Sequence, residues 1–297
     1  MGVIDRYLRD VTRLSRWAVR TGWWLARSTP HPLGTLRLFA SLWWAERRRG
    51  KHPLRLLRLD AVALWVGEFN DLHVIREAWG SQVHELPMED PDVILDLGAH
   101  IGASVLWFHH RWPNAVIHAV EPDRRSLEKL TRNVGPLQQV TIHRVALADR
   151  DGRATFWEAE KGWSSSLYKQ AGQPNVVTVT SLSTLLARVG VEHVDVLNVD
   201  VEGAEWPILA NIRLVEVAGA VAGELHEGMG GGPDVEREAG QHGLAGFDVR
   251  FERREGSGHF TAARSTERRP PRTGRFARDT GDARTGEGAG VSTGAKR

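Results

Sequence analysis

The stretch that decides the fold is DVILDLGAHIG, residues 92–102. An apolar run ends in an acid, Asp96, a glycine turn follows at Gly98, and helical spacing begins soon after Gly102. This order of strand, turn and helix is typical of the first unit of an open parallel sheet, which binds its ligand at the carboxyl ends of its strands. A phosphate-binding turn has the same order, but a carboxylate at that point repels a phosphate. The stretch therefore predicts a fold and also raises the question of its ligand.

The chain after Val93 alternates apolar runs with helical segments, which indicates a doubly wound, Rossmann-like α/β sheet. Parallel strands are expected in VILDLG, AVIHAVEP, VTIHRVAL, VDVLNVDVEG and VAGAVAGELH, with FDVRFERR and GHFTAAR as a closing antiparallel pair. Helices are expected in SVLWFHHRW, RRSLEKLTRNV, SLSTLLARVG and EWPILANI. Before the sheet, ALWVGEFNDLHVIREAW predicts a short strand, a turn and a helix.

Length and charge divide the chain into three parts. The 297 residues allow one large α/β domain with extensions, and the absence of cysteine excludes a disulfide framework, a cysteine-ligated zinc site and a thiol nucleophile. The net charge is +9 over residues 1–60 and +6 over residues 253–297, which leaves −13 for the middle. We therefore predict a basic helical arm over 1–59, a ligand-binding domain over 60–264 and a disordered basic tail over 265–297.

The arm carries the pattern of a basic amphipathic helix. Arginines recur every three or four residues from Arg6 to Arg20, and Ile4, Leu8 and Val11 fall on the opposite side. One hypothesis is contact with an anionic membrane surface at the inner membrane face; the other is packing on the acidic middle, as a lid or as the element of a homodimer. No apolar run is long enough to span a bilayer and no signal-peptide pattern is present, so a cytoplasmic protein is expected.

The ligand can be argued from the residues around Asp96 and at the next strand end. Ala99 and His100 occupy positions at which a dinucleotide loop prefers glycine, and Asp96 favours an amine over a pyrophosphate. S-adenosylmethionine carries an ammonium, and Glu121, 25 residues after Asp96, can accept both of its ribose hydroxyls. The alternatives are a helix cap for Asp96 and a solvated strand end for Glu121. The predicted cofactor-binding residues are Asp96, Gly98, Ala99, His100, Gly102, Glu121, Pro122 and Ala146.

A second group of polar residues lies at the ends of the fourth and fifth expected strands. S-adenosylmethionine is a methyl donor, and a neutral methyl acceptor needs a group that takes its proton, so we predict Asp200, Glu224 and His226 as the catalytic residues. His226 is predicted as the general base, oriented by Glu224 or Asp200, because imidazole ordinarily titrates near neutral pH. Glu202 lies at the same edge. We predict a reaction without a metal; the alternative is Mg²⁺ held by Asp200, Glu224 and His226.

Several motifs of the middle part resemble the FkbM-type S-adenosylmethionine-dependent methyltransferases. They are DLGAHIG, VEP, GWSSSL, VDVLNVDVEGAEWPIL and GELH, which begin at Asp96, Val120, Gly162, Val194 and Gly223. The motif from Val194 is the most specific of them. Asn133 resembles the asparagine that commonly closes the helix after the second strand, and the segment before the sheet is similar to the extension of that family. The resemblance covers residues 60–255 roughly, and neither of the two arms.

The resemblance implies a class I methyltransferase sheet, S-adenosylmethionine as methyl donor, and O-methylation of a small-molecule or glycan hydroxyl, often on a sugar, a glycan or a secondary metabolite. Two positions depart from the family pattern: Asn198 stands where Lys is usual, and Ser183 where Asp is common. We expect such departures either to alter substrate orientation or to lower activity.

Two other functions stay open at this point. A nicotinamide-dependent oxidoreductase would share the fold and Glu121, although Asp96 and the missing middle glycine argue against it. A non-catalytic S-adenosylmethionine-binding or scaffolding protein is the second alternative, prompted by the two departures. No nucleic-acid partner is expected, because the middle segment is acidic and the sequence NPPY is absent.

Overall fold

A computed structural model of the chain describes residues 18–48, 52–81, 83–159, 165–168, 170, 172–211, 213–226, 244–254 and 257–264. All of these belong to one compact unit, Met1–Ser265. Most of the predicted amphipathic helix and the whole predicted tail lie outside the described residues. None of the helices in the described ranges is long and apolar enough to cross a membrane.

The described elements follow each other along the chain in an order that alternates strands and helices. They are α1 (Pro32–Arg47), β1 (Arg55–Arg58), β2 (Ala63–Val66), α2 (Asp71–Gly80), β3 (Val93–Leu97), α3 (Ala103–Arg111), β4 (Val116–Val120), α4 (Arg124–Val134), β5 (Val140–His143), β6 (Ala146–Leu147), β7 (Gly152–Glu158), β8 (Gln173–Thr180), α5 (Leu182–Val189), β9 (Val194–Val199), α6 (Glu205–Asn211), α7 (Leu214–Val217), β10 (Ala218–His226), β11 (Phe247–Arg254) and β12 (Ser257–Arg264). A further helical stretch, residues 18–27, precedes α1.

A seven-stranded sheet, with the order β11-β12-β10-β9-β3-β4-β5, forms the centre of the fold. β3 pairs in parallel with β4 on one side and with β9 on the other, so the strand order reverses at β3. β12 pairs antiparallel with both β10 and β11. The predicted Rossmann-like sheet with a closing antiparallel pair is confirmed, and its ligand site is expected at the carboxyl ends of β3, β4, β9 and β10.

Helices cover both faces of this sheet, and each face has its own apolar core. On one face α2, α3 and α4 pack through Ile75, Phe108 and Leu130, and on the other α5 and α6 pack through Leu186 and Ile208. β3 lies between the two cores, and all five of its residues are buried. A strand covered on both faces needs apolar side chains on both, which explains the continuous run VILDL.

The part of the N-terminal arm that is described packs on the first of these cores. Leu25 and Leu42 are buried within it. Phe39 and Trp43 of α1 both meet Phe69 edge-on, with ring centroids 5.0 Å apart in each pair. Part of the apolar surface of this segment therefore packs on the domain, while Trp23 and Trp44 are exposed. Most of the amphipathic helix predicted between Ile4 and Arg20 is outside the described ranges, so its packing stays a prediction.

Two polar links hold the segment before the sheet in place. Lys129 Nζ on α4 lies 2.6 Å from Asp71 Oδ1 on α2, and both side chains are buried. Asn133 Oδ1 accepts the backbone N–H of Trp65 in β2 at 2.6 Å, and its amide donates to the carbonyl of Ile101 at 2.8 Å. Asn133 thus connects β2, the glycine turn and α4, which gives a structural reason for its place in the motif set.

The structure differs from the sequence prediction between residues 140 and 180. VTIHRVAL does not form one strand: it divides into β5 of the central sheet and β6, which joins β7 and β8 in a separate three-stranded sheet. β7 and β8 were not predicted, and neither was β1. Most residues of β7 and β8 are partly or fully exposed, so these strands lack the continuous apolar run that marks a central strand.

Candidate functional site

A cavity of about 720 Å³ opens at the carboxyl ends of β3, β4, β9 and β10. Its volume falls within the range of sites that bind cofactors and drug-sized ligands. α2 forms one wall, through Asn70, His73 and Glu77, and the small sheet forms another, through Ala146 and Phe156. The extension and the small sheet are therefore parts of the site as well as of the fold.

The predicted site residues fall into two groups around this cavity. The β3–β4 half consists of Gly98, Ala99, His100, Glu121, Pro122 and Ala146, and the β9–β10 half of Asp200, Glu224 and His226 together with Glu202, which was not among the predicted catalytic residues. The other two predicted residues, Asp96 and Gly102, are buried behind this lining.

Gly98 joins the two halves. It adopts a φ of +92°, and a Cβ at this position would lie 1.7 Å from the backbone oxygen of Asp200, so no residue with a side chain fits. The backbone N–H of Asp200 in turn donates to the carbonyl of Leu97 at 2.9 Å. The end of β3 and the end of β9 are therefore in backbone contact, and the two groups of side chains share one wall.

Asp96 does not line the cavity itself, but it is hydrogen-bonded to two residues that do. Its carboxylate is fully buried and accepts hydrogen bonds from Ser104 Oγ at 2.6 Å and from Asn198 Nδ2 at 2.8 Å, and both donors line the cavity. Burial raises the pKa of Asp96 to about 6, against the two hydrogen bonds that lower it. The N-cap residue of α3 is Gly102, and no side chain caps this helix, so the alternative of a helix cap for Asp96 is wrong. The contact of Asp96 with a ligand amine stays a prediction.

The two departures from the family pattern have different surroundings. Asn198 is buried, lines the cavity and donates to Asp96, so that a neutral amide stands where a lysine would place a positive charge beside this carboxylate. Ser183 is exposed in the first turn of α5, where its Oγ lies 3.1 Å from Ser181 Oγ. Only the departure at Asn198 therefore touches the site in the part of the chain that is described.

Glu121 is fixed by the backbone at the end of β4. Its Oε2 accepts the N–H of His100 at 2.8 Å and its Oε1 accepts the N–H of Asp123 at 2.7 Å. Burial raises the pKa of Glu121 to about 8, and the two backbone hydrogen bonds oppose the rise. With 6% of its surface exposed, it is not a solvated strand end, so that alternative is wrong. Each carboxylate oxygen has two lone pairs, so each can accept one further hydroxyl.

Two serines of the GWSSSL motif, Ser165 and Ser166, connect the two halves of the cavity. Asp123 caps α4 with one oxygen and accepts Ser165 Oγ with the other, at 2.9 Å. The next residue, Ser166, donates its hydroxyl to the backbone carbonyl of Glu202. Adjacent serines thus reach the helix after β4 and the turn after β9, which explains the use of small polar residues here.

Asp200 differs from the acids of the β3–β4 half. Its Oδ1 is buried and has no hydrogen-bond partner among the described residues. Burial raises the pKa of Asp200 well above its ordinary value, and Glu224, Glu202 and Glu205 raise it further, while His226 lowers it. The wall of the cavity therefore contains a carboxylate oxygen for which the described chain supplies no donor.

His226 lies between two acids. Its Nδ1 is 3.1 Å from Oε1 of the fully buried Glu205, and its Nε2 is 3.5 Å from Oε2 of Glu202. Burial lowers the pKa of His226, but the hydrogen bond and charge of Glu205, with the charges of Glu202 and Asp200, outweigh this and raise it to about 10. The ring consequently carries a proton at neutral pH, whereas the sequence prediction assumed an ordinary imidazole.

Glu224 turns towards β12. Ser257 Oγ donates to Glu224 Oε1, and His259 Nε2 lies 3.4 Å from the same oxygen. His259 Nε2 also lies 3.4 Å from Oε1 of Glu77 on α2. Ser257, His259 and Glu77 all line the cavity, yet no motif marks them, because antiparallel pairing and the extension bring them there. Glu205, by contrast, could have been found from its place in the DVEGAE motif.

The order of the strands and the position of the acids define the class of this protein. β12 lies antiparallel between β10 and β11, and Glu121, Asp200 and Glu224 line the cavity at the carboxyl ends of β4, β9 and β10, as in a Rossmann-like class I methyltransferase fold. Within this class, residues 96–237 match the family model described as Methyltransferase FkbM domain. The resemblance indicated by the motifs is confirmed.

Similarity to individual proteins covers part of the chain. The 2-O-methyltransferase NoeI of Sinorhizobium fredii (strain NBRC 101917 / NGR234) is 30% identical over 142 residues, which cover 41% of this chain and 58% of that relative. Methanococcus jannaschii fibrillarin pre-rRNA processing protein is 14% identical, with a TM-score of 0.44 over 72% of this chain and 87% of that one. Aeropyrum pernix fibrillarin, in complex with natively bound S-adenosyl-L-methionine, is 16% identical, with a TM-score of 0.42 over 71% and 82%. TM-scores this low carry no argument about the site.

Proposed function

We propose that this protein transfers a methyl group from S-adenosylmethionine to a hydroxyl of a sugar, a glycan or a secondary metabolite. The observation that carries this proposal is the setting of Glu121, which two backbone N–H groups hold at the end of β4, beside the glycine turn, in a chain that matches the FkbM methyltransferase model. Glu121 in this position can accept the two hydroxyls of a ribose, and these hydrogen bonds would favour its ionised form over the protonated form that burial favours in their absence.

The β3–β4 half suits S-adenosylmethionine better than a dinucleotide. His100 has a φ of +47°, so a side chain occupies a left-handed position that a pyrophosphate loop gives to glycine. Ala146 and Leu147 offer an apolar wall near Glu121 for an adenine ring. When bound, S-adenosylmethionine supplies a methyl group on a positively charged sulfur.

The β9–β10 half would hold the acceptor. In methyl transfer the acceptor oxygen forms the new C–O bond, the electron pair of the broken C–S bond stays with sulfur, and the hydroxyl proton must pass to a base. We propose Glu224 as the proton acceptor and Asp200 as the group that orients the hydroxyl. His226 already carries a proton because of Glu205 and Glu202, so it serves better as a hydrogen-bond donor than as a base.

The choice of oxygen as the methylated atom has support from the relatives. NoeI is called a 2-O-methyltransferase, and the alignment with it covers 58% of its length. The walls of the cavity also contain acids at three strand ends, Glu121, Asp200 and Glu224, which can accept hydrogen bonds from hydroxyl groups. A polyhydroxylated acceptor therefore suits this cavity.

Ligand-dependent thermal unfolding tests the cofactor. We expect S-adenosylhomocysteine to raise the melting temperature of the full chain, with a stabilisation of about 2.7 kcal/mol at a hundredfold excess over Kd, and NAD to have no effect. The variant Glu121→Gln should lose most of the shift, and Glu128→Gln, on the exposed side of α4, should keep it. Stabilisation by NAD instead would overturn the proposal in favour of an oxidoreductase.

Transfer itself is tested with methyl-labelled S-adenosylmethionine and panels of sugars, glycans and secondary metabolites. We expect label in a product that resists alkaline hydrolysis, as an ether does and a methyl ester does not. Glu224→Gln should abolish incorporation while S-adenosylhomocysteine still binds. A protein that binds S-adenosylhomocysteine but labels no member of any panel would favour the scaffolding alternative.

Contact between the N-terminal arm and a membrane stays a separate proposal. Trp23 and Trp44 are 63% and 56% exposed, and Arg27 and Arg48 lie over their rings at 4.4 and 4.5 Å. Exposed aromatic rings with cationic neighbours suit an anionic interface. Flotation with anionic vesicles should decrease in a chain with both tryptophans changed to alanine, and equal flotation of the two chains would contradict this proposal.

A further inference from the structure

Three side chains with metal-binding atoms converge in the β9–β10 half. One oxygen each of Asp200 and Glu202 and one ring nitrogen of His226 lie within 4.8 Å of one another. A six-coordinate ion with ligand distances of about 2.0–2.3 Å places opposite ligands about 4–4.6 Å apart and adjacent ones about 3 Å apart. The separation of the three atoms is therefore close to the span of the ligands around one ion.

Glu205 determines which nitrogen of His226 faces the other two ligands. This fully buried carboxylate lies 3.1 Å from Nδ1, and Nε2 lies 3.5 Å from Oε2 of Glu202. A carboxylate behind the second ring nitrogen is the common support of a metal-ligating histidine, because it fixes the tautomer and makes the other nitrogen a better ligand. The imidazole is thus oriented as in a metal site, and a bound ion would displace the proton that Nε2 carries in its absence.

The charges around Asp200, Glu202 and His226 are a second indication that this part of the cavity binds a cation. Asp200 Oδ1 is buried without a hydrogen-bond donor among the described residues, and such an oxygen is costly unless a ligand satisfies it. Glu202 and Glu224 line the same half, and no lysine or arginine is among the described residues that line the cavity. A divalent ion would supply the missing positive charge at the unsatisfied oxygen.

We propose that Asp200, Glu202 and His226 bind a divalent metal ion, with Mn²⁺ as the best match. One imidazole with two carboxylates lies between the all-oxygen sets that Mg²⁺ prefers and the nitrogen- and sulfur-rich sets of Zn²⁺. This ligand set differs from the alternative drawn from the sequence, because Glu202 replaces Glu224, whose Oε1 is engaged by Ser257.

The role of the ion rests on the proposed methyl transfer, whereas its binding does not. Three protein ligands leave positions for the hydroxyl oxygen of the acceptor, which the ion would hold in place and make more acidic. Glu224 stays outside the ligand set and remains available to take the proton. The ion would thus divide the two tasks of the β9–β10 half between separate residues.

Titration with Mn²⁺ alone tests the site. The full chain is treated with EDTA, dialysed and titrated, and the signal of free Mn²⁺ is followed by electron paramagnetic resonance. We expect one bound equivalent, at least tenfold weaker binding in Asp200→Asn, Glu202→Gln and His226→Ala, and ten- to hundredfold weaker binding in Glu205→Gln, which alters only the support of the ring. Glu128→Gln is the matched control with an exposed acid and should bind as the unchanged chain does.

Circular dichroism and melting temperatures identify any variant that does not fold, and His226→Gln replaces His226→Ala if the latter fails. Absence of Mn²⁺ binding at millimolar concentration, or equal binding by all folded variants, would overturn the site. Calorimetry with S-adenosylhomocysteine in EDTA separates the two proposals. Binding of S-adenosylhomocysteine without Mn²⁺ binding removes only the metal, and Mn²⁺ binding without S-adenosylhomocysteine binding removes the proposed cofactor instead.

Discussion

The carboxylates in the two halves of the cavity differ in whether the chain supplies hydrogen-bond donors to their oxygens. In the region of β3 and β4, both oxygens of Asp96 and both oxygens of Glu121 accept hydrogen bonds from the chain itself. In the β9–β10 half, Asp200 keeps a buried oxygen without a donor among the described residues. A carboxylate with its own donors is held in place by the chain, whereas a buried oxygen without a donor leaves a hydrogen bond for a ligand to supply. Acids at equivalent strand ends can therefore have different roles.

The largest expected effect comes from Gly98→Ala, which removes the contact between the halves. The new Cβ would lie 1.7 Å from the Asp200 carbonyl oxygen at a φ of +92°, so β3 and β9 would have to separate. We expect a loss of at least about 4 kcal/mol in the free energy of unfolding and no binding of S-adenosylhomocysteine.

The matched control is Gly190→Ala, at the end of α5. Gly190 has a φ of +76°, but a Cβ added to it would meet no described atom within 4 Å, so this variant carries the conformational strain without the clash. It should lose only about 1–2 kcal/mol, measured by urea unfolding. Equal losses in the two variants would show that the contact between the strand ends is unimportant.

Glu121→Gln is expected to weaken binding of S-adenosylhomocysteine by roughly 10- to 100-fold, or about 1.5–3 kcal/mol. The amide nitrogen of glutamine cannot accept, so the N–H of either His100 or Asp123 loses its partner, and the ribose loses an acceptor. Isothermal calorimetry measures the change. Unchanged affinity would mean that Glu121 only supports the backbone.

The pH dependence of stability provides a second test of Glu121. Its pKa is raised from 4.5 to about 8, so the folded state holds a proton that the unfolded state has released between these values. The contribution of Glu121 to the free energy of unfolding should therefore be greatest below pH 4.5 and fall as the pH rises towards 8. The free energy of unfolding should change by at most about 1.4 kcal/mol per pH unit. Asp96, with a pKa of about 6, adds a smaller effect of the same sign below that pH.

Urea unfolding at several pH values between 6.5 and 8 isolates Glu121 from Asp96. Glu121→Gln should show a flatter dependence than the unchanged chain, because it has no proton to release. Parallel curves for the two proteins in this window would contradict the raised pKa.

Asp200→Asn is expected to stabilise the folded chain. Because Asp200 has an oxygen without a donor among the described residues and stands near Glu202 and Glu224, its replacement by a neutral amide should raise the free energy of unfolding by about 1 kcal/mol at neutral pH in the absence of metal. Thermal unfolding in EDTA measures this. A destabilised Asp200→Asn would remove the contrast between the halves.

The smallest expected effect is that of Asp96→Asn on ligand affinity. Its carboxylate reaches Ser104 and Asn198, so we expect a change of about threefold or less in the Kd of S-adenosylhomocysteine, or roughly 0.6 kcal/mol. Calorimetry beside Glu121→Gln gives the comparison. A tenfold loss would instead support the direct contact with the ligand amine that the sequence pattern predicts.

Much of the site could be predicted from local patterns. Gly98 and the acids at the ends of β3, β4, β9 and β10 stand in motifs next to apolar runs, so their placement follows from the strands themselves. The protonation of His226 could not be predicted, since it depends on Glu205, which reaches the ring from the start of α6. Glu77, Ser257 and His259 were missed because they come from the extension and from an antiparallel strand.

By itself, the sequence determined the sheet, the glycine turn and the set of acids along the carboxyl edge. These depend on apolar periodicity and on the backbone freedom of glycine, which act between near neighbours in the chain. Only the tertiary structure decided which of the acids are satisfied. Hydrogen bonds form over about 3 Å, and the donors to Asp96 and Glu224 come from Asn198 and Ser257, respectively 102 and 33 positions away in the chain.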